Sequence, residues 1–209
     1  MYANELAAAR KIEPKQDIIT TLLEADGDQQ LTEHEFDMFV MLLSVAGNET
    51  TRNATAQGML AFLEHPDQWE LLKSDPAKYL DTAIEEVLRF GTPVMNFRRT
   101  ATSDMELHGQ TIKEGDAIVM YYISANRDPE VFTDPDTFDI TRSPNPHLAF
   151  GGGGPHHCLG ISLARLEMRI MFELLLNHVD HFELLEPPAR LRSNFIHGIK
   201  HLNVKAIPA

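Results

Sequence analysis

Residues 150 to 160 read Phe-Gly-Gly-Gly-Gly-Pro-His-His-Cys-Leu-Gly, and a helical pattern follows them to about His178. Glycines give a loop backbone shapes closed to other residues and let it pass close to a flat ligand. Cys158 is the only cysteine among 209 residues, so no disulfide can form within the chain. It is expected to open the last helix, where free N–H groups and the helix dipole favour a thiolate over a thiol. Gly160, expected one turn into that helix, leaves room for a bulky ring beside the backbone.

These are the requirements of a cysteine-ligated haem. Other readings of the loop are open at this point. A lone cysteine is usually a small buried hydrophobe. A phosphate-binding loop wants Gly-Lys-Ser/Thr after the glycines, and none follows. His156, His157 and Cys158 suggest zinc, but three adjacent residues converge on one tetrahedral ion only with strain. A cysteine nucleophile needs a histidine base that only the fold can supply.

The rest of the chain is expected to be mainly α with small sheets. Asn4 to Lys11 reads as a helix stopped before Pro14, and Asp17 caps a short helix from Ile18 to Ala25. Asp26-Gly27-Asp28 is a turn signal. Thr32 and Glu35 form a capping box for a long helix from Phe36 to about Leu63. The first half of that helix is apolar almost all round, which predicts burial inside something large. Shorter helices cover Asp67 to Ser74 and Pro76 to Phe90. Strands are expected between Val94 and Tyr122, a Pro- and Gly-rich irregular stretch from Asn126 to Pro155, and strands again at Phe182 to Leu185 and Leu202 to Ile207. No repeat or domain boundary is evident, so residues 1–209 read as one domain or a large piece of one.

Composition narrows the function. Eighteen Lys and Arg against 31 Asp and Glu give a formal charge of −13, which argues against nucleic acid as a partner. The N-terminus lacks the basic and apolar regions of a signal peptide, and the apolar run from Met38 to Ala46 is too short to span a bilayer. A cytoplasmic setting is expected.

Three further patterns carry chemistry. Ala46-Gly47-Asn48-Glu49-Thr50-Thr51 interrupts the long helix with an acid and two alcohols. Threonine hydroxyls can take over backbone carbonyl bonds and open a groove, and an adjacent acid and alcohol can relay protons. The bland alternative is that Glu49 marks where the helix meets solvent. Glu86-Val87-Leu88-Arg89 places two opposite charges on one helix face, although most such pairs are solvated and contribute little. Phe97-Arg98-Arg99-Thr100 sits on an expected strand, where surface charge is the plain reading.

Taken together and in their order along the chain, the four segments resemble the oxygen-activation helix, Glu-x-x-Arg motif, haem-flanking strand and haem loop of cytochromes P-450. The resemblance runs from about Leu6 to the end of the chain. It implies a mainly α fold with small sheets, of which residues 1–209 would form the C-terminal half. It implies haem b, with Cys158 as the iron ligand and His156 and Arg99 on its propionates. Phe150, Gly152, Gly154 and Gly160 would line the haem, with Ala46 and Gly47 closest on the long helix. The loop departs from the family pattern in one respect. The aromatic residue commonly stands seven before the cysteine, where this chain has Gly151, and Phe150 is one further back.

On the same resemblance Thr50 would hold oxygen and its water, and Glu49 would supply protons. Glu86, Arg89 and Arg142 would brace the haem loop and take no part in chemistry. Val94, Met95 and Phe97 would give the substrate pocket an apolar wall. The implied activity is insertion of one atom of O2 into a C–H bond of an apolar molecule. Electrons would come from NAD(P)H through a reductase and a ferredoxin. Segments such as Ser124-Ala125-Asn126-Arg127-Asp128-Pro129 look most like actinobacterial hydroxylases of steroids, branched lipids or terpenoids. Family members are about twice this long, so a catalytically silent partial enzyme is the first alternative. A histidine-dependent metal hydrolase built on His147, His156 and His157 is the second.

Overall fold

A computed structural model describes residues 2–25, 27 and 30–209. The order of elements is α1 (Tyr2–Ile12), α2 (Ile18–Leu23), α3 (Glu33–Glu64), α4 (Pro66–Ser74), α5 (Pro76–Gly91), β1 (Asn96–Thr100), β2 (Met105–Leu107), β3 (Gln110–Ile112), β4 (Ala117–Tyr121), α6 (Tyr122–Ala125), α7 (Ile161–His178), β5 (Val179–Leu184), β6 (Ala189–Arg190), β7 (Ile199–His201) and β8 (Val204–Pro208). The strands pair antiparallel as four two-stranded ribbons, β1 with β4, β2 with β3, β5 with β8 and β6 with β7. Fold class and most elements agree with the sequence. The β6–β7 ribbon does not appear in the sequence pattern because two and three residues are too few to show alternation. Of the turn expected at Asp26-Gly27-Asp28, Asp26 and Asp28 lie outside the described residues.

The chain divides into two compact units, Met1–Glu49 and Thr50–Ala209, and α3 runs through the division. In the first unit Ala7, Ile19 and Phe36 form a small core. Asp17 caps α2 by accepting from the Thr20 N–H at 2.9 Å. Glu35 Oε2 accepts from the Thr32 N–H at 2.9 Å and Thr32 Oγ1 accepts from the Glu35 N–H at 3.3 Å, the capping box read from the sequence.

The apolar first half of α3 calls for more neighbours than the described residues give it: Met41, Leu42 and Val45 are 55%, 59% and 61% exposed. A helix apolar on every face needs neighbours on every face, and Phe36 alone between residues 36 and 49 is buried. No helix among the described residues is long and apolar enough to cross a membrane.

The second unit has the main core. On α5, Leu80, Ala83, Ile84, Val87 and Leu88 recur at helical spacing and are all buried. They pack with Met168 and Phe172 of α7, Trp69 and Leu72 of α4, and Phe62 of α3. Phe62 makes edge contacts with Trp69, Phe138 and Phe172 at centroid distances of 5.3, 5.3 and 5.7 Å. Gly58 allows the three long helices of this unit to approach: a Cβ there would lie 2.7 Å from Val87 Cγ1 and 2.9 Å from Phe172 Cζ. This scaffold fixes α5 and α7, which together carry the irregular stretch between residues 126 and 160.

Candidate functional site

The loop before α7 starts from Phe150, which packs on the main core. Gly151, Gly153 and Gly154 take φ values of +87°, +94° and +74°, a region that side-chain-bearing residues seldom enter. The loop closes where the Cys158 N–H donates to the Phe150 carbonyl at 3.0 Å. That bond corrects the expected position of the cysteine. The first helical bond of α7 runs from the Ala164 N–H to Gly160 O, so the helix begins at Ile161 with Gly160 as N-cap. Cys158 therefore precedes the helix by three residues, and Gly160 stands at the threshold instead of one turn in.

Several features of this loop fit a flat, cysteine-ligated ring. The Cys158 side chain is half-exposed. Cβ atoms built on Gly154 and Gly160 meet nothing within 4 Å, and one on Gly152 meets only Leu148 Cδ2, at 3.9 Å. Leu159 and Leu163 are 74% and 59% exposed, an apolar surface beside the thiol. A porphyrin supplies four ligands itself and asks the protein for one thiolate. Among the described residues no three His, Cys, Asp or Glu side chains gather as a metal-binding group. His147, one member of the hydrolase alternative, is instead bonded to Glu85.

The Glu-x-x-Arg pair is fully buried, unlike most pairs at its spacing. Arg89 donates to Glu86 through Nε at 2.8 Å and Nη2 at 2.7 Å. Its other bonds go to the carbonyls of Asn126, Pro135 and Thr137. Arg142 reaches the same carboxylate and also holds the carbonyls of Thr133, Asp134 and Thr137. The Asp139 N–H and Asn145 Nδ2 complete the acceptor sites of Glu86. Burying such charges is tolerable only because every hydrogen-bonding direction is used.

Two further residues belong to this network, although the sequence pattern assigns them no part in it. Asn126 is wholly buried. Its Nδ2 donates to Thr92 Oγ1 at 2.9 Å and its Oδ1 accepts from the Leu148 N–H at 2.7 Å. Thr92 ends α5 at φ 37°, and its hydroxyl donates to Arg89 O at 2.7 Å. The usable signal for Thr92 was its place in Gly91-Thr92-Pro93.

Glu85, the neighbour of Glu86, accepts from His147 Nε2 at 3.0 Å and from Arg165 Nε and Nη2, both at 2.7 Å. Partial burial works against its ionisation, but the bonds from His147 and Arg165 outweigh it and hold the carboxyl down at about 2.

On β1, Phe97 and Arg99 share a face by strand alternation. The Arg99 guanidinium lies 5.7 Å from the Phe97 ring centre, and Nη1 donates to Arg98 O at 3.0 Å. Phe97 is exposed, Met95 half-buried and Val94 buried. The Phe97 ring meets that of Phe195, from the tail, at a centroid distance of 5.5 Å. His156 is exposed on the loop.

On α3, Ala46, Gly47 and Glu49 are exposed and Thr50 half-buried. A Cβ on Gly47 would meet nothing within 4 Å. The helix is not opened at this point, and α3 is continuous from Glu33 to Glu64. Polar side chains do bond back to carbonyls one turn earlier, from Ser44 to Val40 O, Asn48 to Ser44 O and Thr55 to Thr51 O. Such bonds supplement the ladder without breaking it.

Comparison with known proteins agrees with this reading of the fold. The family model described as Cytochrome P450 matches residues 3–202. A Steroid C26-monooxygenase of Mycobacterium tuberculosis is 49% identical over 97% of the chain, which covers 46% of that protein. A Methyl-branched lipid omega-hydroxylase of the same species is 48% identical, again over 97% of the chain and 48% of the relative. The chain thus spans about half the length of the curated relatives it matches. The Mycobacterium marinum cytochrome P450 CYP268A2 in complex with pseudoionone is 41% identical with a TM-score of 0.91, over 99% of this chain and 49% of that one.

Proposed function

Since the chain belongs to the cytochrome P450 family, we propose that it carries the haem-ligating and oxygen-handling part of a monooxygenase that inserts one atom of O2 into a C–H bond of an apolar substrate. The observation that carries this reading is the closed glycine loop, which holds one half-exposed thiol beside open space and exposed leucines. Haem b, when bound, supplies oxygen activation, with thiolate donation favouring O–O cleavage.

The protein's own residues then divide the work. Cys158 ligates the iron. Arg99 and His156 would pair with the propionates, and Phe150, Gly152, Gly154 and Gly160 would line the ring. On the family resemblance Ala46 and Gly47 would be the α3 residues nearest the haem. The Thr50 hydroxyl would hold oxygen and a water by hydrogen bonds, and Glu49 would supply protons there. Glu86, Arg89 and Arg142 keep the loop in place. Val94, Met95 and Phe97 exclude water and orient the substrate. Electrons arrive from cytoplasmic NAD(P)H through a ferredoxin reductase and a ferredoxin. The names of the relatives favour a steroid side chain or a methyl-branched lipid as substrate.

A second reading is that residues 1–209 alone do no chemistry. It is favoured by exposed apolar faces on α3 and α7, which bear Met41, Leu42, Leu166 and Leu174. The test is incubation with haem, ferredoxin, reductase, NADPH, isotopically labelled O2 and a sterol. Label in a hydroxylated sterol, lost in Thr50→Ala or Cys158→Ala, supports the monooxygenase. Haem uptake without labelled product favours the second reading.

A further inference from the structure

Glu85 and Glu86 are adjacent on α5 but hold different parts of the chain. Glu86 takes residues 139 to 145. Glu85 gathers a second cluster on either side of Cys158. His147 Nδ1 accepts from the Ala149 N–H at 3.2 Å, which leaves the Nε2–H to donate to Glu85 Oε2 at 3.0 Å. Arg165, from the second turn of α7, grips both oxygens of the same carboxylate at 2.7 Å. Paired bonds of this kind fix orientation as well as distance.

The cluster reaches the loop through Phe150. The Arg165 guanidinium lies 5.1 Å from the centre of that ring, and the His147 ring 6.0 Å from it. The Phe150 carbonyl in turn accepts the Cys158 N–H. One carboxylate therefore ties down the chain before the glycines and after the cysteine. A four-glycine loop has much conformational freedom to lose, and holding its two ends together lowers the cost of closing it.

We propose that Glu85 is a positioning residue for Cys158, closing the thiol-bearing loop through His147 on one side and Arg165 on the other. The inference rests on the reading of Cys158 as the iron ligand, but its test does not require haem. Hydrogen exchange at the Cys158 amide and the rate of Cys158 alkylation are measured in the haem-free 209-residue chain, for the unaltered protein, Glu85→Gln and Arg165→Lys. Asp104→Asn, which removes the exposed partner of Lys113, is the control, and exchange at the buried Met168 amide reports global opening.

Loss of a charge-assisted pair should speed both Cys158 readouts by about tenfold or more, with Met168 exchange unchanged. Arg165→Lys, which keeps the charge and loses the fork, should give a smaller change in the same direction. Cys158 rates that follow the Asp104→Asn control, or that rise only in step with Met168, would overturn the proposal. In haem-reconstituted protein, Glu85→Gln should also reduce the share of the red-shifted Soret band in the reduced CO complex. A clamp that holds by exchange in a chain that takes up haem without that band would leave the clamp standing and reject the iron-ligand reading.

Discussion

Arg142 follows Glu86 by 56 positions, yet its Nε lies 3.3 and 3.2 Å from the two oxygens of that carboxylate. Arg89 saturates the other side of the same group, and all three side chains are at least nine-tenths buried. Removing one partner strands a buried charge, which typically costs about 3–5 kcal/mol. Glu86→Gln and Arg89→Ala are therefore expected to unfold the chain or lower its stability by about that much. Arg142→Ala, at the rim, should cost less. Denaturant midpoints check the ranking.

Glu86 also shows how far the sequence could be read. Its spacing to Arg89 was visible, and so was the match of Arg142, but their complete burial was not, because that depends on carbonyls at 126, 135 and 137. The same holds for Asn126, an ordinary loop residue until the fold brings Thr92 and Leu148 to it. Local chemistry was legible where it is self-contained, as in the Thr32–Glu35 capping box and the glycine loop. The start of α7 was misplaced by three residues: the first intrahelical acceptor is Gly160 O, while Cys158 belongs to the loop that closes on Phe150, eight residues back.

Acid should act on His197 first. Burial and the nearby Arg190 and Arg127 charges lower its affinity for a proton, against the opposing effect of its 2.7 Å bond to Gly91 O. The unfolded chain takes up a proton near 6.5, while the folded form resists it. Its contribution to stability is thus present above 6.5 and declines as pH falls below that value. Glu85 adds a later loss between 4.5 and about 2. Melting temperatures should begin to fall below 6.5 in the native protein, with a flatter response in His197→Gln.

Gly58 has no room for a methyl group, with Val87 Cγ1 at 2.7 Å and Phe172 Cζ at 2.9 Å from its built Cβ. Gly58→Ala gains up to about 1 kcal/mol of helix propensity but overpacks the α3, α5 and α7 junction by about 1–3 kcal/mol. A net destabilisation is expected by thermal melting, and a raised melting temperature would contradict this packing.

The outer face of α7 bears Leu163, Leu166, Ile170, Met171 and Leu174, all between 46% and 59% exposed. A contiguous apolar stripe of this kind promotes association. The isolated 209-residue chain should self-associate in light scattering, and Leu166→Glu with Leu174→Lys should disperse it. A monodisperse, cooperatively melting native chain would contradict this.

The central claim is that Cys158 is the ligand of a haem iron. Its most direct test is the absorption spectrum of the haem-reconstituted chain, reduced and exposed to CO. A strongly red-shifted Soret band that disappears in Cys158→Ala is the predicted result. Haem uptake with no such band, or a band unchanged in Cys158→Ala, would contradict it.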